Sequence, residues 1–501
     1  MRRHHMTPAI TLYARLRSEH RARLLGIDGQ QGNLHEGQPP PERWLQQVWR
    51  HQRIQRTRLR LADGRPLRVL HPGFWNREAG PDFHGAVIQF GTDTPRTGDV
   101  ELDLVTAGWR GHGHATNARF ANVILQVVWD EADVDRARPP VLAIQPFLDA
   151  PLSELATWLD LEAPVRLPDN VLGQCNAPLR ELPTESLVEL LRQAAHLRLE
   201  RKAAELSARA RQVGWENALW EGLLGALGYK HNAWPFRRLA ELVPLARNEA
   251  TGTPPSSPGN ALVLEAHLLG LAGLLPTEIS RGTNPHVRTL WDCWWRERDA
   301  VADDIVPKTM WRLGGIRPAN RPERRLVLAA HWLTVRTLPT QLIDWLGATA
   351  NQRPGERAWQ LLERLTPAAT ETIPYWSRHW TLRSAELPEP HPLLGAPRVT
   401  DLAMNVILPW LWARTSTSAG SAGVEDIRKR VENCWQDWPA GEDNAVLRRT
   451  RQRLFGTVRP RLPARAIMQQ GLLQITRDFC DSAGALCHEC RFPAQIGRPV
   501  G

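Results

Sequence analysis

Three carboxylates are spaced so that a β-hairpin would gather them. Gly80-Pro81-Asp82 leads into a β-prone stretch, Phe83 to Phe90 (FHGAVIQF); a turn-rich segment from Gly91 to Gly98 then leads into a second, Asp99 to Val105 (DVELDLV). On a strand, residues two apart share a face, so Glu101 and Asp103 project together. Hairpin pairing sets the start of the first strand, at Asp82, beside the end of the second. Oxygen-rich sites of this kind suit Mg²⁺ or Mn²⁺, which activate water and steady a phosphoryl transition state. Immediately downstream, Trp109 to Asn117 (WRGHGHATN) carries His112 and His114 two positions apart. These imidazoles could ligate a metal or move protons beside the acids. The competing reading is a solvated hairpin face followed by a polar loop.

A second constellation lies near the C-terminus: Cys480-x6-Cys487-x2-Cys490. Cys-x2-Cys is the spacing of a metal knuckle, and three clustered thiols call for a fourth ligand. Cys175, between Gln174 and Asn176, is the first candidate, with Cys434 and His488 as competitors. Four thiolates suit Zn²⁺ or an iron–sulfur cluster, and thiols without metal are the alternative. Cys293, among Trp291, Trp294 and Trp295, reads as a core residue.

These residues need a scaffold. Glu42 to Leu59 has apolar residues at helical spacing (Trp44, Leu45, Val48, Trp49, Ile54) after the stop Pro39-Pro40-Pro41. Arg65 to Val69, Asn122 to Trp129 and Val141 to Phe147 read as further strands. From Leu152 onward the period becomes helical: Glu185 to Val213, Trp215 to Gly228, Phe236 to Leu245, Ala261 to Leu275, Arg324 to Leu338, Gln341 to Leu346, Arg357 to Leu365 and Asp401 to Ala413, with Ser416 to Gly423 as a flexible loop. The expected organisation is a basic N-terminal extension over 1–40, whose first 26 residues could form an amphipathic helix, and an α/β domain of one helix plus a mixed sheet over 41–150. A mostly α-helical region ending in the cysteine cluster follows over 151–501. The Arg-rich face of 192–212 reads as solvated, and Arg317 to Pro322 (RPANRP) as a loop with a capping Asn before a helix.

Helix, Pro-Asp, hairpin and a following acidic strand resemble the core of the PD-(D/E)XK nuclease superfamily. Pro81-Asp82 and Glu101 match its first two elements, and Glu42 stands on the leading helix, where some members place another acid. Asp103 occupies the position of the motif lysine. The chain has lysine only at 202, 230, 308 and 429, so Arg110, His112 or His114 would have to supply the positive charge, or Asp103 would serve as an extra metal ligand. Some nucleases of that superfamily hold an iron–sulfur cluster with one distant and three C-terminal cysteines, which the resemblance extends to Cys175, Cys480, Cys487 and Cys490.

The chain after residue 40 also resembles, over nearly its whole length, a bacterial family of uncharacterised proteins catalogued only as a domain of unknown function. The residues carrying this are His71-Pro72-Gly73, Asn76, Ala79 to Phe83, Val100-Glu101, Trp109, His112, His114 and Val123 to Leu125. Further on they are Gly228-Tyr229, Asn232 to Phe236, Arg317 to Asn320, Tyr375-Trp376, Asn405, Pro409 and the terminal cysteines. The chain departs from that pattern twice: Glu101-x-Asp103 stands where Glu-x-His is expected, and Leu125-Gln126-Val127 where Leu-His-Val is expected.

Composition bounds the function class. Six cysteines in 501 residues are too few for a disulfide scaffold, which points to cytoplasmic thiols or metal ligands. No long apolar run and no signal peptide is evident, so a membrane role is not expected. Net charge is +10, favouring nucleic acid as partner, although an arginine-biased composition gives the same excess. P-loop, dinucleotide and serine-hydrolase motifs are missing. Two functions follow as expectations: a metal-dependent nuclease using Asp82 and Glu101, or a non-catalytic nucleic-acid-binding or scaffold protein retaining the nuclease-like shell.

Overall fold

The computed structural model describes residues 11–24, 39–76, 78–130, 139–159, 172–229, 231–249, 258–335, 337–349, 352–366, 374–417, 422–458, 460–481, 487, 490 and 492–496. Helix α1 (Leu12–Leu24) falls within the expected N-terminal helix. Three prolines then prevent helix, and α2 (Glu42–His51) starts directly after them. Its Trp44, Leu45, Val48 and Trp49 are fully buried, the single apolar face that their spacing predicts. Trp44 meets Trp129 edge to face at 5.8 Å, and the Trp49 indole donates to the Pro72 carbonyl at 2.9 Å. The helix ends eight residues short of the expected Leu59. Gln52 takes a left-handed φ of 50°, and Ile54 bridges to Leu148 as a strand residue. Ile54 and Leu59 are buried, but through the sheet edge and not through a helix face.

The sheet comprises β1 (Leu67–His71), β2 (Phe74–Trp75), β3 (Phe83–Phe90), β4 (Arg96–Leu102), β5 (Val123–Val128) and β6 (Val141–Ala143). Its order is β1-β3-β4-β5-β6, with β2 added on β3. The β1–β3 and β3–β4 pairs are antiparallel, and β4–β5 and β5–β6 are parallel, giving the mixed sheet the sequence leads one to expect. Strand ends differ by a few residues. β1 begins two residues later than Arg65, and β6 stops at Ala143 because Gln145–Phe147, with Pro146, is a 3₁₀ turn. β4 ends at Leu102, before the expected Val105, so Asp103 stands just past the strand terminus.

The remainder is mostly helical. After α3 (Gly108–Gly111), α4 (Leu152–Trp158) and α5 (Asn176–Glu181) comes α6 (Thr184–Leu227), interrupted at Gly214 (φ 81°, ψ 160°). The break falls where the sequence separates two helices. The next expected helices are found as Ala233–Glu249, Pro258–Leu271, Pro322–Thr334, Leu338–Ala348 and Pro354–Leu365. Asp401 to Ala413 lies within a helical run over 396–417 that includes a π turn at Ala403–Ile407. Helices at Pro285–Trp295, Ala422–Asp437, Ala445–Phe455 and Ala466–Ile475 were not foreseen. Residues 418–421 of the expected Ser416–Gly423 loop lie outside the described residues, as do 1–10 and 25–38 of the N-terminal extension.

The chain forms two compact units. One comprises Met1–Glu205 together with Ala440–Gly501, and the other Leu206–Pro439. The C-terminal segment therefore folds with the sheet-bearing part of the chain. Three local expectations fail. The 192–212 face is not simply solvated: Arg201 is 2% exposed, and the Arg198 guanidinium donates to Gln470 Oε1 at 2.6 Å. Asn320 is not a helix cap; its Oδ1 accepts from the Tyr229 hydroxyl at 2.7 Å and from Arg325 at 2.8 Å. Cys293 is half-buried, beside an exposed Trp295. Among the described residues, no helix is long and apolar enough to cross a membrane.

The His71-Pro72-Gly73 corner sets the packing of α2 on the sheet. Gly73 has φ 94°, and a Cβ there would lie 2.9 Å from Phe83 Cβ. Gly64 has a similar φ of 84° but open space around it. In urea titrations, Gly73→Ala is expected to cost about 1–3 kcal/mol beyond Gly64→Ala, whose cost is backbone strain alone. Equal costs would show that the corner yields without loss.

Candidate functional site

The acids meet at one end of the hairpin. In the β3–β4 register Phe83 lies opposite Val100, which sets Asp82 beside Glu101. The Asp82 amide donates to Glu101 Oε2 at 3.1 Å, and the Leu102 amide donates to Asp82 Oδ2 at 3.0 Å. The loop before Asp82 is closed by Asn76, whose side chain donates to the Pro81 carbonyl at 2.9 Å and whose amide donates to the Asp82 carbonyl at 2.7 Å. From α2, Gln46 donates to Asp82 Oδ1 at 2.8 Å and reaches Glu42 Oε1 at 3.4 Å.

Asp103, 2% exposed, receives a hydrogen bond from Gln126 on the parallel neighbour β5 at 2.7 Å. His112 Nδ1 lies 3.2 Å from Asp103 Oδ1, and His114 Nε2 lies 3.2 Å from Glu101 Oε1. Asp103, His112 and His114 each offer a ligand atom within 4.8 Å of the other two. The predicted residues Asp82, Glu101, Asp103, His112 and His114 are thus brought into one neighbourhood, and Glu42 joins them from the helix. Sequence reasoning missed Gln46, which has no signal apart from its one-turn offset from Glu42. It also missed Gly108, where a Cβ would sit 2.5 Å from Asp103 Oδ1, so a larger residue would displace that carboxylate. Phe120 stacks on His114 with ring centres 3.9 Å apart.

The electrostatics follow from this crowding. Burial foremost, then the Asp82 charge, holds Glu101 well above the usual carboxylate range. Asp82 is raised too, by burial and by Glu42 and Asp103, against the stabilising Leu102 amide. Glu42 is raised by burial and by Asp103. Burial lowers His114, leaving its imidazole neutral, the form that ligates metals. No well-aligned hydrogen bond reaches either ring nitrogen of this buried histidine, although Nε2 faces Glu101. Hard oxygen donors, a neutral imidazole and mutually repelling acids together fit a divalent cation.

The cysteines form a second centre in the same unit. Cys175 precedes α5, which packs on the Ala445–Phe455 helix: the Gly173 amide donates to the Arg453 carbonyl at 2.9 Å, and Asn176 to the Leu454 carbonyl at 3.3 Å. Cys480 lies on the π turn that extends the Ala466–Ile475 helix. Cys175, Cys480, Cys487 and Cys490 line one pocket, with Ile475, Phe479, Phe492 and Arg453. Burial pushes the Cys175 thiol up to about 12, with Cys480, Cys490 and Cys487 adding to it. Burial also pushes Cys480 up to about 12, against the Arg453 guanidinium. Of the competitors, Cys434 lies in the other unit, where Arg357 reaches its sulfur at 3.7 Å, and His488 lies outside the described residues.

The chain belongs to the family described as "Protein of unknown function (DUF2851)", which matches residues 42–442. The match takes in the acids, the histidines and Cys175, and ends before the three C-terminal cysteines. No curated protein and no solved structure matches the chain.

A carboxyl whose folded pKa is raised stabilises the fold below its unfolded value, about 4, and that contribution is lost as pH rises through the folded value. The metal-free protein is therefore expected to melt at lower temperature near about pH 9 than near about pH 6. Glu101→Gln should flatten this slope and raise the melting temperature at the alkaline end. A wild type and variant with parallel pH profiles would show that the acids are already relieved by solvent.

Proposed function

We propose that this protein is a metal-dependent nuclease, hydrolysing phosphodiester bonds of DNA or RNA at the Asp82–Glu101–Asp103 centre. The observation that carries the reading is the meeting of these three acids with His112 and His114 at the end of β4. The order of helix α2, Pro81-Asp82, hairpin and Glu101 on the second hairpin strand follows the PD-(D/E)XK resemblance, and Glu42 reaches the same centre from α2.

Asp82, Glu101, Asp103 and His114 would hold a Mg²⁺ or Mn²⁺ ion. Such an ion supplies positive charge that activates water and offsets the charge developing on a phosphoryl group in flight. Gln46 and the Leu102 amide orient Asp82, and Gln126 orients Asp103, so the donor set is preorganised by the two elements flanking β4. His112, with its side chain 59% exposed, is the group that can pass a proton to or from solvent at the rim.

One observation favours the alternative, a non-catalytic nucleic-acid-binding protein. Both oxygens of Asp82 already accept hydrogen bonds from the protein, and one oxygen of Asp103 is taken by Gln126. The two readings separate in one set of measurements: Mn²⁺ titration calorimetry and cleavage assays on single- and double-stranded DNA and RNA, in Mg²⁺ and in Mn²⁺. The nuclease reading expects cleavage that Asp82→Asn and Glu101→Gln each reduce by at least about a hundredfold, and a Gln126→Ala loss of about 10–100-fold in Mn²⁺ affinity. Nucleic-acid binding without cleavage in either metal would give the alternative. Cleavage unchanged in both acid variants would place the chemistry elsewhere.

A further inference from the structure

We infer that Cys175, Cys480, Cys487 and Cys490 are the four ligands of a thiolate metal centre, iron–sulfur or zinc, that closes the first unit around its C-terminal segment. The inference is independent of the nuclease reading, since it uses none of the acidic residues. Its first support is convergence: residues more than 300 positions apart line the same pocket, and all four are free cysteines. The remaining lining is mostly apolar. Phe479 and Phe492 stack at 4.3 Å, and Ile475 and Leu454 complete the wall.

The local backbone is arranged for ligation. The Cys490 amide donates to the Cys487 carbonyl at 3.2 Å, which ties the two cysteines of the Cys-x2-Cys pair together. Cys480 arrives on a π turn, whose wider spacing is a common device at functional sites. That turn is anchored two residues before Cys480 by the buried Asp478, which accepts from the Tyr13 hydroxyl at 2.7 Å and from Arg17 at 3.1 Å. Cys175 is anchored by the Gly173 amide bond to the Arg453 carbonyl. Arg453 also brings its guanidinium to 3.4 Å from Cys487 Sγ, a fixed positive charge beside a group of thiolates. Hydrogen bonds and charge of this kind tune iron–sulfur centres.

Four thiolates suit two occupants, a zinc ion or a multinuclear iron–sulfur cluster, and the bound metal distinguishes them. In either case the four thiols each lose a proton and form a bond to the metal, with no change in the oxidation state of the cysteine sulfur.

The test is elemental and spectroscopic, on the full chain purified without oxygen. Expected is one metal centre per chain: either iron and acid-labile sulfide in equal amounts, in a brown protein with broad visible absorption bleached by dithionite, or stoichiometric zinc without sulfide. Cys175→Ser and Cys487→Ser should each lose most of that metal and lower the melting temperature, whereas Cys434→Ser and Cys293→Ser should retain both. Asp82→Asn should keep the metal whether or not the protein cleaves nucleic acid. Should the cysteine variants fail to fold, the wild-type metal content decides alone. Six titratable thiols in a metal-free anaerobic protein would overturn the inference.

Discussion

Acidic side chains repel one another most strongly where water is excluded, and this chain places four of them, Glu42, Asp82, Glu101 and Asp103, around one end of a strand. In the absence of a cation the arrangement is relieved by protonation, by donated hydrogen bonds from Gln46, Gln126 and backbone amides, and by the neighbouring imidazoles of His112 and His114. Much of the α/β part is organised around that constraint. The apolar face of α2 docks on the sheet through Trp44 and Trp49, and that docking delivers Glu42 and Gln46 to the acids. The parallel strand β5 delivers Gln126 in register with Glu101. Stability and site geometry are thus coupled through the same contacts, and a change that tilts α2 would disturb the carboxylates without touching them.

The two places where this chain departs from the pattern it resembles turn out to be hydrogen-bonded to each other. Asp103 and Gln126 stand where imidazoles were expected, and Gln126 Nε2 donates to Asp103 Oδ2. A carboxylate introduced alone at a site 2% exposed would add uncompensated charge to an already acidic cluster. An amide donor on the adjacent strand offsets it, and Gly108 leaves room for the carboxylate on its other side. Asp103 and Gln126 therefore act as a hydrogen-bonded pair that keeps the site polar.

The cysteine centre depends on chain connectivity of another kind. Residues from 440 onward fold with the unit that contains the sheet, bypassing more than two hundred residues that form their own unit. Such a closure brings together segments whose loop entropy opposes association, so the contacts at the seam must be strong. They include Gly173 with Arg453, Arg198 with Gln470, and Asp478 with Tyr13 and Arg17, each pairing an early segment with the C-terminal one.

Local physics made much of this legible without coordinates. Alternation and turn residues located β3, β4 and β5 to within a few positions, because a strand's period of two is written in neighbouring residues. The proline stop marked the first residue of α2, and Gly214 separated the two halves of α6. The juxtaposition of Asp82 with Glu101 followed from hairpin pairing alone, and the Cys-x2-Cys spacing singled out two of the four cysteines that line one pocket. What the sequence left open was decided by contacts between distant segments. That α2 would stop at Gln52, that Arg201 would be buried on a helix that reads as solvated, that Gln126 would face Asp103, and that 440–501 would return to the sheet-bearing unit all depend on which surfaces meet. No local period encodes such meetings; they are settled when the whole chain finds its lowest combined cost of burial, charge and entropy.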